Sequence, residues 1–294
     1  MNLGIALEDL SQRASRYCIN LNELVDRDDT FPPLRGSSAL VYRGTLRREG
    51  AKVAVKTFRS GPSGNEATLK LVFRELHLWS KLRHENIVRL LGVTTTFDFT
   101  VSIVSEWMAK GDAYNYVQDT SIDPRPLLVG IAHGLHYLHN HPQGPIFHGD
   151  LKGLNVLISD DGRALLCDFG LSYLVMSTFS MTVECPRGGS IPWMAPESLD
   201  SDWVVTAATD IWAFGMTTLE LFTRVPPFHP SPNPTSVMVK ILRGVPNRPS
   251  MESACSRLTD EWWNLCLLCW NREPSLRPSM SDIVDRVMKD ADHS

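Results

Sequence analysis

Apolar residues follow two different patterns along this chain, and the change between them falls about a third of the way in. The first part carries four segments with the alternating or continuous Val, Ala and Leu pattern that is typical of strands. These segments are residues 39–44, 51–58, 87–95 and 101–107. Between the second and the third, Leu69, Val72 and Leu76 recur at steps of three and four, which predicts a helix over residues 65–82.

Beyond residues 109–112, which resemble a turn and are a candidate hinge, apolar positions recur mainly at helical spacing. Four helices are predicted there, over residues 126–140, 209–222, 260–270 and 279–289. Ser279 is a candidate N-cap of the last one, because its hydroxyl can accept an early backbone N–H. A strand-rich first third and a helix-rich remainder predict an α+β protein with two unequal lobes.

Length and charge narrow the class of protein. The chain has 294 residues, of which 43% are hydrophobic, and this is enough for a sizeable buried core. Its net charge is −4 and its basic residues are dispersed, which argues against nucleic acid as a partner. No apolar run reaches the roughly 18 residues that span a bilayer. The first residues have neither the basic start nor the apolar core of a signal peptide.

The six cysteines are scattered, and only Cys266 and Cys269 form a CxxC pair. This pair lies in an apolar helical stretch and no second Cys/His pair follows, so buried structural thiols are favoured over a metal site. Scattered cysteines suit a reducing compartment. We therefore expect a cytoplasmic location, with the nucleus as the alternative.

Residues 148–155 read His-Gly-Asp-Leu-Lys-Gly-Leu-Asn, and Asp168-Phe169-Gly170 follows downstream. Asp150 is placed to accept a proton from an alcohol. Asn155 and Asp168 supply hard oxygen ligands, which suit magnesium beside a triphosphate. Side chains in this order and spacing are typical of a phosphoryl-transfer site. The alternative for Asp150 taken alone is an acid that caps a turn.

Several further blocks follow in order, and with them the chain resembles a eukaryotic protein kinase over residues 31–290. The blocks are Val53-Ala54-Val55-Lys56, Glu75 nine residues before His84, Ala195-Pro196-Glu197, Asp210-Ile211-Trp212-Ala213-Phe214-Gly215, and Arg277. The resemblance implies one kinase domain in two lobes. Residues 31–108 would form the small β-rich N-lobe with its αC helix, and residues 109–294 the larger, mainly helical C-lobe. Residues 1–30 are expected to be an N-terminal extension.

The resemblance also implies catalytic roles, with ATP and Mg²⁺ as cofactors. Lys56 would place its ammonium on the α- and β-phosphates of ATP, and Glu75 would hold it there; the alternative is an ordinary surface lysine at a strand end. Asp150 would orient the substrate hydroxyl, with Lys152 beside the transferred phosphate. Magnesium would bind Asn155 and Asp168. The implied nucleotide-binding positions are Leu34, Gly36, Val41, Ala54, Lys56, Ser105, Glu106, Met108, Leu157 and Asp168. Arg277 would pair with Glu197.

The chain departs from the family pattern at two places. Leu34, Gly36 and Ala39 fall on the three glycine positions of the phosphate-covering loop, so we expect a stiffer loop and weaker nucleotide binding. Gly149 stands where many members carry an arginine that contacts a phosphorylated activation segment. We therefore expect activity not to depend strongly on phosphorylation of the hydroxyl residues in that segment. These are Ser177, Thr178, Ser180 and Thr182.

Lys152 and Ser190 match features that indicate serine/threonine rather than tyrosine specificity. Trp193-Met194-Ala195-Pro196-Glu197 is similar to the tyrosine-kinase-like group of serine/threonine kinases. The His-Gly-Asp-Leu-Lys-Gly form of residues 148–153 is similar to kinases found in many filamentous fungi. The expected function is transfer of the ATP γ-phosphoryl group to a protein substrate, with upstream regulators or scaffold partners. One alternative is a pseudokinase that serves as a nucleotide-binding or scaffold module. The other is a small-molecule phosphotransferase, against which the Asp210 block and Arg277 argue.

Overall fold

Residues 1–83 and 87–108 form one structural unit in the computed structural model, and residues 84–86 and 109–294 form a second. Strands dominate the first unit and helices the second, which confirms the predicted α+β class. The structure describes residues 8, 11–36, 39–58, 66–98, 100–169, 172–174, 190–200, 204–231, 233–254 and 256–291.

An antiparallel sheet of six strands forms the main part of the first unit. Its order is β1-β3-β4-β6-β5, and β2 lies beside β3. The strands are β1 (Val25–Arg27), β2 (Leu34–Arg35), β3 (Ala39–Leu46), β4 (Lys52–Phe58), β5 (Leu90–Thr94) and β6 (Ser102–Glu106). All four predicted strands are present. Apolar and other residues alternate in β4 because successive side chains point to opposite faces of the sheet. Val53 and Val55 are fully buried on one face, while Ala54 and Lys56 project from the other.

The predicted helix after β4 is also present, as α2 (Glu66–Trp79). Val72, Leu76 and Trp79 are buried along one side of it, as their spacing required. The Trp79 indole N–H donates to the carbonyl of Val88 at 2.6 Å. This bond ties the end of the helix to the segment that leads into β5.

Part of the N-terminal segment packs onto the sheet of the first unit. Residues 11–14 are helical (α1), and β1 pairs with β3 as an additional edge strand. The backbone N–H of Leu21 donates to the carbonyl of Val93 at 2.8 Å, and Leu21 lies in the core beneath the sheet. A Cβ at Gly92 would stand 2.4 Å from the carbonyl oxygen of Ile19, so only glycine permits this approach. Residues 19–27 of the expected N-terminal extension therefore pack against the sheet of the first unit.

The second unit contains six helices in its described part. They are α3 (Ala113–Tyr116), α4 (Arg125–His139), α5 (Ala207–Thr223), α6 (Pro234–Arg243), α7 (Asp260–Cys269) and α8 (Met280–Ala291). The four helices predicted from apolar spacing correspond to α4, α5, α7 and α8. Two short antiparallel strand pairs were not predicted. They pair β7 (Ile146–Phe147) with β10 (Tyr173–Leu174), and β8 (Val156–Ile158) with β9 (Ala164–Leu166).

Side-chain caps fix where two of these helices begin. Thr206 and Thr209 form a reciprocal capping box at the start of α5. The backbone N–H of Asp282 donates to the Ser279 hydroxyl at 3.2 Å, which confirms the predicted N-cap of α8. Most residues of α5 are buried, so this helix is the centre of the second unit.

The CxxC pair lies on α7, and both thiols are buried. Burial raises the pKa of Cys269 to about 12 and that of Cys266 well above its ordinary value, so both stay protonated and unreactive. Across the described ranges, no three His, Cys, Asp or Glu side chains are grouped to hold a metal. Nor does any helix among those residues have the length and apolar character needed to cross a bilayer.

Candidate active site

Lys152 lies between an acid and a hydroxyl in the second unit. Its Nζ donates to Oδ2 of Asp150 at 2.9 Å and to Oγ of Ser190 at 2.6 Å. The Lys152 and Asp150 side chains are 16% and 14% exposed, so both can reach a substrate while most water is kept away. An ammonium and a carboxylate at this spacing can neutralise a transferred phosphate and accept a hydroxyl proton.

Asp210, at the start of α5, holds the loop that carries Asp150. Its buried carboxylate accepts the backbone N–H groups of His148 at 2.7 Å and Gly149 at 2.9 Å. The ring Nε2 of His139 is 2.9 Å from the same carboxylate. Gly149 has φ of +78°, a left-handed conformation that favours glycine. The residue that departs from the family pattern therefore suits the backbone it occupies.

Asn155 joins Asp150 to the hairpin that leads to Asp168. Its Nδ2 donates to the carbonyl oxygen of Asp150 at 2.7 Å and to Oδ2 of the same residue at 2.8 Å. Its own carbonyl accepts the backbone N–H of Cys167 at 3.0 Å, because β8 and β9 pair directly beyond it. Asp168, the next residue, has φ of +63°, which is uncommon for a residue with a side chain and concentrates at functional sites.

The donor set of this hairpin suits magnesium. Nδ2 of Asn155 is used within the protein, which leaves its amide oxygen, a hard ligand, for a cation. Asp168 can add a carboxylate, and magnesium usually takes only one or two protein ligands besides water and phosphate oxygens.

The first unit contains a buried ion pair. Nζ of Lys56 on β4 lies 2.8 Å from Oε1 of Glu75 on α2. The Glu75 side chain is completely buried and that of Lys56 is 17% exposed. The surrounding protein therefore fixes the carboxylate, and the carboxylate in turn orients the ammonium. This arrangement argues against the alternative of an ordinary surface lysine.

The sheet register places most of the predicted nucleotide-binding residues of the first unit on one face. Opposite residues in adjacent strands share a face, and so do residues two apart in one strand. Lys56 pairs with Val41, Val41 with Leu34, and Ala54 with Ser105. Leu34, Val41, Ala54, Lys56 and Ser105 therefore share one face. Glu106 pairs with Val53 on the opposite face, and Met108 follows the end of β6.

The loop that carries only one of the expected glycines has Gly36 just after β2. The backbone N–H of Gly36 donates to the carbonyl of Ala39 at 2.9 Å, and residues 37–38 lie outside the described residues. A Cβ added at Gly36 would meet only that carbonyl, at an ordinary 3.4 Å. Leu34 is 60% exposed. Gly170 and the four hydroxyl residues of the activation segment also lie outside the described ranges.

Arg277 and Glu197 form the ion pair that the family resemblance implied. The two guanidinium nitrogens donate to the two carboxylate oxygens at 2.5 and 2.9 Å. The Arg277 side chain is completely buried and also donates to the carbonyls of Asn271 and Ala208, each at 2.8 Å. Leu157, another predicted nucleotide-binding residue, lies in β8 and forms an isolated antiparallel β-bridge with Asp112.

Sequence reasoning missed Glu220. This residue is buried in α5, and its carboxylate accepts the backbone N–H of Gly153 and the indole N–H of Trp193. The available signal was one acidic residue within the apolar run Leu219-Glu220-Leu221-Phe222 of a helix predicted to be buried. A charge at such a position needs specific partners.

Comparison with known proteins identifies the family. The family model described as protein tyrosine and serine/threonine kinase matches residues 34–287. The chain is 31% identical over 277 residues to the probable serine/threonine-protein kinase pats1 of Dictyostelium discoideum, covering 87% of this chain and 8% of that protein. It is 31% identical over 273 residues to MDIS1-interacting receptor like kinase 1 of Arabidopsis thaliana, covering 86% and 27%. It is 32% identical over 262 residues to the probable serine/threonine-protein kinase drkC of Dictyostelium discoideum, covering 86% and 33%.

The chain therefore belongs to the protein tyrosine and serine/threonine kinase family. This confirms the resemblance inferred from the motifs and the kinase fold that it implied. Members of the family use ATP with Mg²⁺ and phosphorylate protein hydroxyls. The chain spans a third or less of the length of these three relatives.

Proposed function

We propose that this chain is an active serine/threonine kinase that transfers the γ-phosphoryl group of Mg-ATP to a protein hydroxyl. One observation carries the proposal: the Lys152 ammonium contacts both the Asp150 carboxylate and the Ser190 hydroxyl. The ammonium, the carboxylate and the hydroxyl thus form one hydrogen-bonded cluster. Its three groups are those that a hydroxyl acceptor and a migrating phosphoryl group require.

Each group has a defined part in the transfer. Asp150 orients the acceptor hydroxyl and takes its proton as the new P–O bond forms, while the bond from the γ-phosphorus to the bridging oxygen breaks and ADP leaves. Lys152 offsets negative charge on the transferred group, and Lys56 does so at the α- and β-phosphates. Bound at Asn155 and Asp168, Mg²⁺ would neutralise charge on the phosphate oxygens. The low exposure of these side chains strengthens every charge interaction, because little water screens them.

Serine/threonine specificity has two supports. The Lys152–Ser190 contact matches the pattern that the sequence indicated for this group. Two of the relatives described above are named as probable serine/threonine-protein kinases. The proposed partners are ATP, a protein substrate and upstream regulators or scaffolds. The cytoplasmic or nuclear location is likewise a proposal.

A pseudokinase is the second candidate function, and the glycine-poor loop favours it. Leu34 and Ala39 stand at two positions where glycine would let the backbone approach phosphates closely. We propose that the loop weakens nucleotide binding without abolishing transfer. The charged groups that contact phosphate and substrate are all retained, and Lys56 still has its buried partner.

A transfer assay separates the two functions. The purified chain is incubated with labelled ATP, Mg²⁺ and a generic protein substrate, and the modified amino acid is identified after hydrolysis. We expect phosphoserine and phosphothreonine. Phosphotyrosine alone would contradict the specificity. An increase in melting temperature with ATP, but without transfer, would identify a pseudokinase instead.

Replacing Lys56 by Met should weaken ATP binding by about tenfold or more. A hydrogen bond to a charged group contributes about 1.5–3 kcal/mol, and 1.4 kcal/mol corresponds to a factor of ten in affinity. Titration calorimetry with Mg-ATP measures the change. Lys52→Met is the matched control, because Lys52 is an exposed lysine on the same strand whose Nζ donates to the Thr45 hydroxyl. Equal losses in the two variants would contradict the role of Lys56.

Replacing Ser177, Thr178, Ser180 and Thr182 together by Ala should leave kcat within about threefold of the starting protein. Gly149 cannot supply the cation that usually stabilises a phosphorylated activation segment, so phosphate there has less to bind. Initial rates at saturating ATP and substrate measure the effect, with phosphatase-treated protein as the control. A large loss of turnover in the fourfold variant would show that loop phosphorylation is required.

A further inference from the structure

Glu220 is a buried acid that the proposed transfer does not use. Only 1% of its surface is exposed, and its neighbours along α5 are apolar. An acid is rarely so buried without a purpose, because removing its charge from water costs free energy. Glu220 lies against the backbone of Gly153, the residue that follows Lys152 of the candidate active site.

The Glu220 carboxylate joins two separate segments. Oε2 accepts the backbone N–H of Gly153 at 2.8 Å and the indole N–H of Trp193 at 3.0 Å. Gly153 directly follows Lys152, and Trp193 lies three residues after Ser190. One oxygen atom therefore connects the two chain segments whose side chains meet in the Lys152–Ser190 contact.

Gly153 is needed for this close approach. A Cβ at this position would stand 3.1 Å from Oε2 of Glu220 and 3.0 Å from Cβ of Tyr114. Both distances are tighter than usual for a Cβ, so a side chain at this position would require its neighbours to shift by a few tenths of an ångström. The spacing between the loop and the helix is therefore set by the hydrogen bond and by the missing side chain together.

We propose that Glu220 is a positioning residue for phosphoryl transfer. Its carboxylate fixes the Gly153 backbone and the Trp193 indole. These two contacts keep the Lys152 ammonium within hydrogen-bond distance of the Ser190 hydroxyl. The inference rests on the proposed kinase function and deepens it. Glu220 acts through these two segments and contacts neither Lys152 nor Ser190 by a hydrogen bond.

The charge of Glu220 makes this positioning dependent on pH. Burial raises its pKa to about 7, although the Gly153 and Trp193 bonds and the nearby Lys152 ammonium act in the opposite direction. Asp112, which caps α3, adds to the rise. The guanidinium N–H groups of the neighbouring Arg224 donate hydrogen bonds to the carbonyls of Val117 and Phe222. Ionised carboxylates accept stronger hydrogen bonds than neutral acids, so the two segments are held more firmly above pH 7.

The raised pKa of Glu220 makes the folded state less stable as the pH rises, whereas the hydrogen bonds that position the two segments become stronger. A carboxyl whose pKa is raised on folding favours the folded state below its ordinary value of 4.5, and that contribution is lost as the pH rises to about 7. Above that pH, Glu220 therefore favours activity at the expense of stability. A residue that served only to stabilise the fold would not show this opposition.

The first test does not need enzymatic activity. The indole ¹⁵N–¹H resonance of Trp193 is assigned by its loss in Trp193→Phe and followed from about pH 5.5 to 8.5. We expect it to shift with a midpoint near pH 7 and to stay fixed in Glu220→Gln, whose amide does not ionise. A resonance that does not titrate in the wild type, or that titrates equally in the variant, would overturn the proposal.

The second test uses the transfer reaction. Between about pH 6 and 8, kcat of the wild type should rise by up to tenfold, since the ionised fraction of a group with a pKa of about 7 rises by that factor. Glu220→Gln should remove this rise, leave the KM for ATP unchanged and melt at a temperature less dependent on pH. An equal rise in the variant would overturn the proposal. A wild type without any transfer would contradict the kinase function, while the indole titration would still decide the role of Glu220.

Discussion

Replacing Asp150 by Asn should lower kcat for phosphoryl transfer by about 10²–10⁴-fold, the range that a positioned general base contributes. Oδ2 of Asp150 accepts the Lys152 ammonium at 2.9 Å and Nδ2 of Asn155 at 2.8 Å. An amide oxygen at the same place can still accept both donors, so the local structure is kept. The amide is neutral and cannot take a proton from the acceptor hydroxyl.

Steady-state rates at saturating ATP and protein substrate measure this change in kcat. Asp160→Asn is the matched control, because Asp160 is an exposed acid in the turn between β8 and β9 and should tolerate the same replacement. Melting curves of both variants show whether each is folded. If the Asp150 variant were folded and kept more than about a tenth of the wild-type kcat, general-base catalysis by Asp150 would be excluded.

Local periodicity was sufficient to predict the long elements of both units. The apolar positions of α2 and α5 repeat at helical spacing, and the buried positions of β4 alternate, so the pattern and the observed packing agree. Short elements carry too few residues for a period to emerge. β1 has one apolar and two charged residues, and it forms because β3 offers a free edge and Leu21 is anchored in the core.

In the candidate site, too, the residues that are close together in the sequence were predicted, and most contacts between distant residues were not. Asp150, Lys152 and Asn155 lie within six residues of each other in the sequence, so their spacing alone indicated a common site. The contacts that hold them come from distant residues, such as Asp210 beneath the loop and Glu220 beneath Gly153. No spacing rule links positions more than sixty residues apart, because tertiary packing decides which of them meet. The sequence therefore indicated the reacting groups better than the groups that position them.

Replacing Arg277 by Met should destabilise the second unit by about 3 kcal/mol, because it breaks an ion pair with a half-buried partner and leaves main-chain acceptors without their donor. The guanidinium is completely buried and lies over the Trp212 ring, with its carbon 5.1 Å from the ring centre. Its loss removes both bonds to Glu197 and leaves the carbonyls of Asn271 and Ala208 without their donor. Met fills most of the volume, so the effect reports on charge and hydrogen bonding more than on a cavity.

Urea unfolding followed by tryptophan fluorescence measures this loss, and the melting temperature should fall by about 10 °C. Arg163→Met is the matched control, because Arg163 is half exposed and its ion pairs with Asp161 and Glu85 are open to water. Its loss should change stability far less, since exposed pairs contribute little. If the two variants were destabilised equally, burial would not be the source of the effect. A large difference would show that Arg277 anchors the Ala195-Pro196-Glu197 segment, which follows Ser190 and Trp193, to the helices of the second unit.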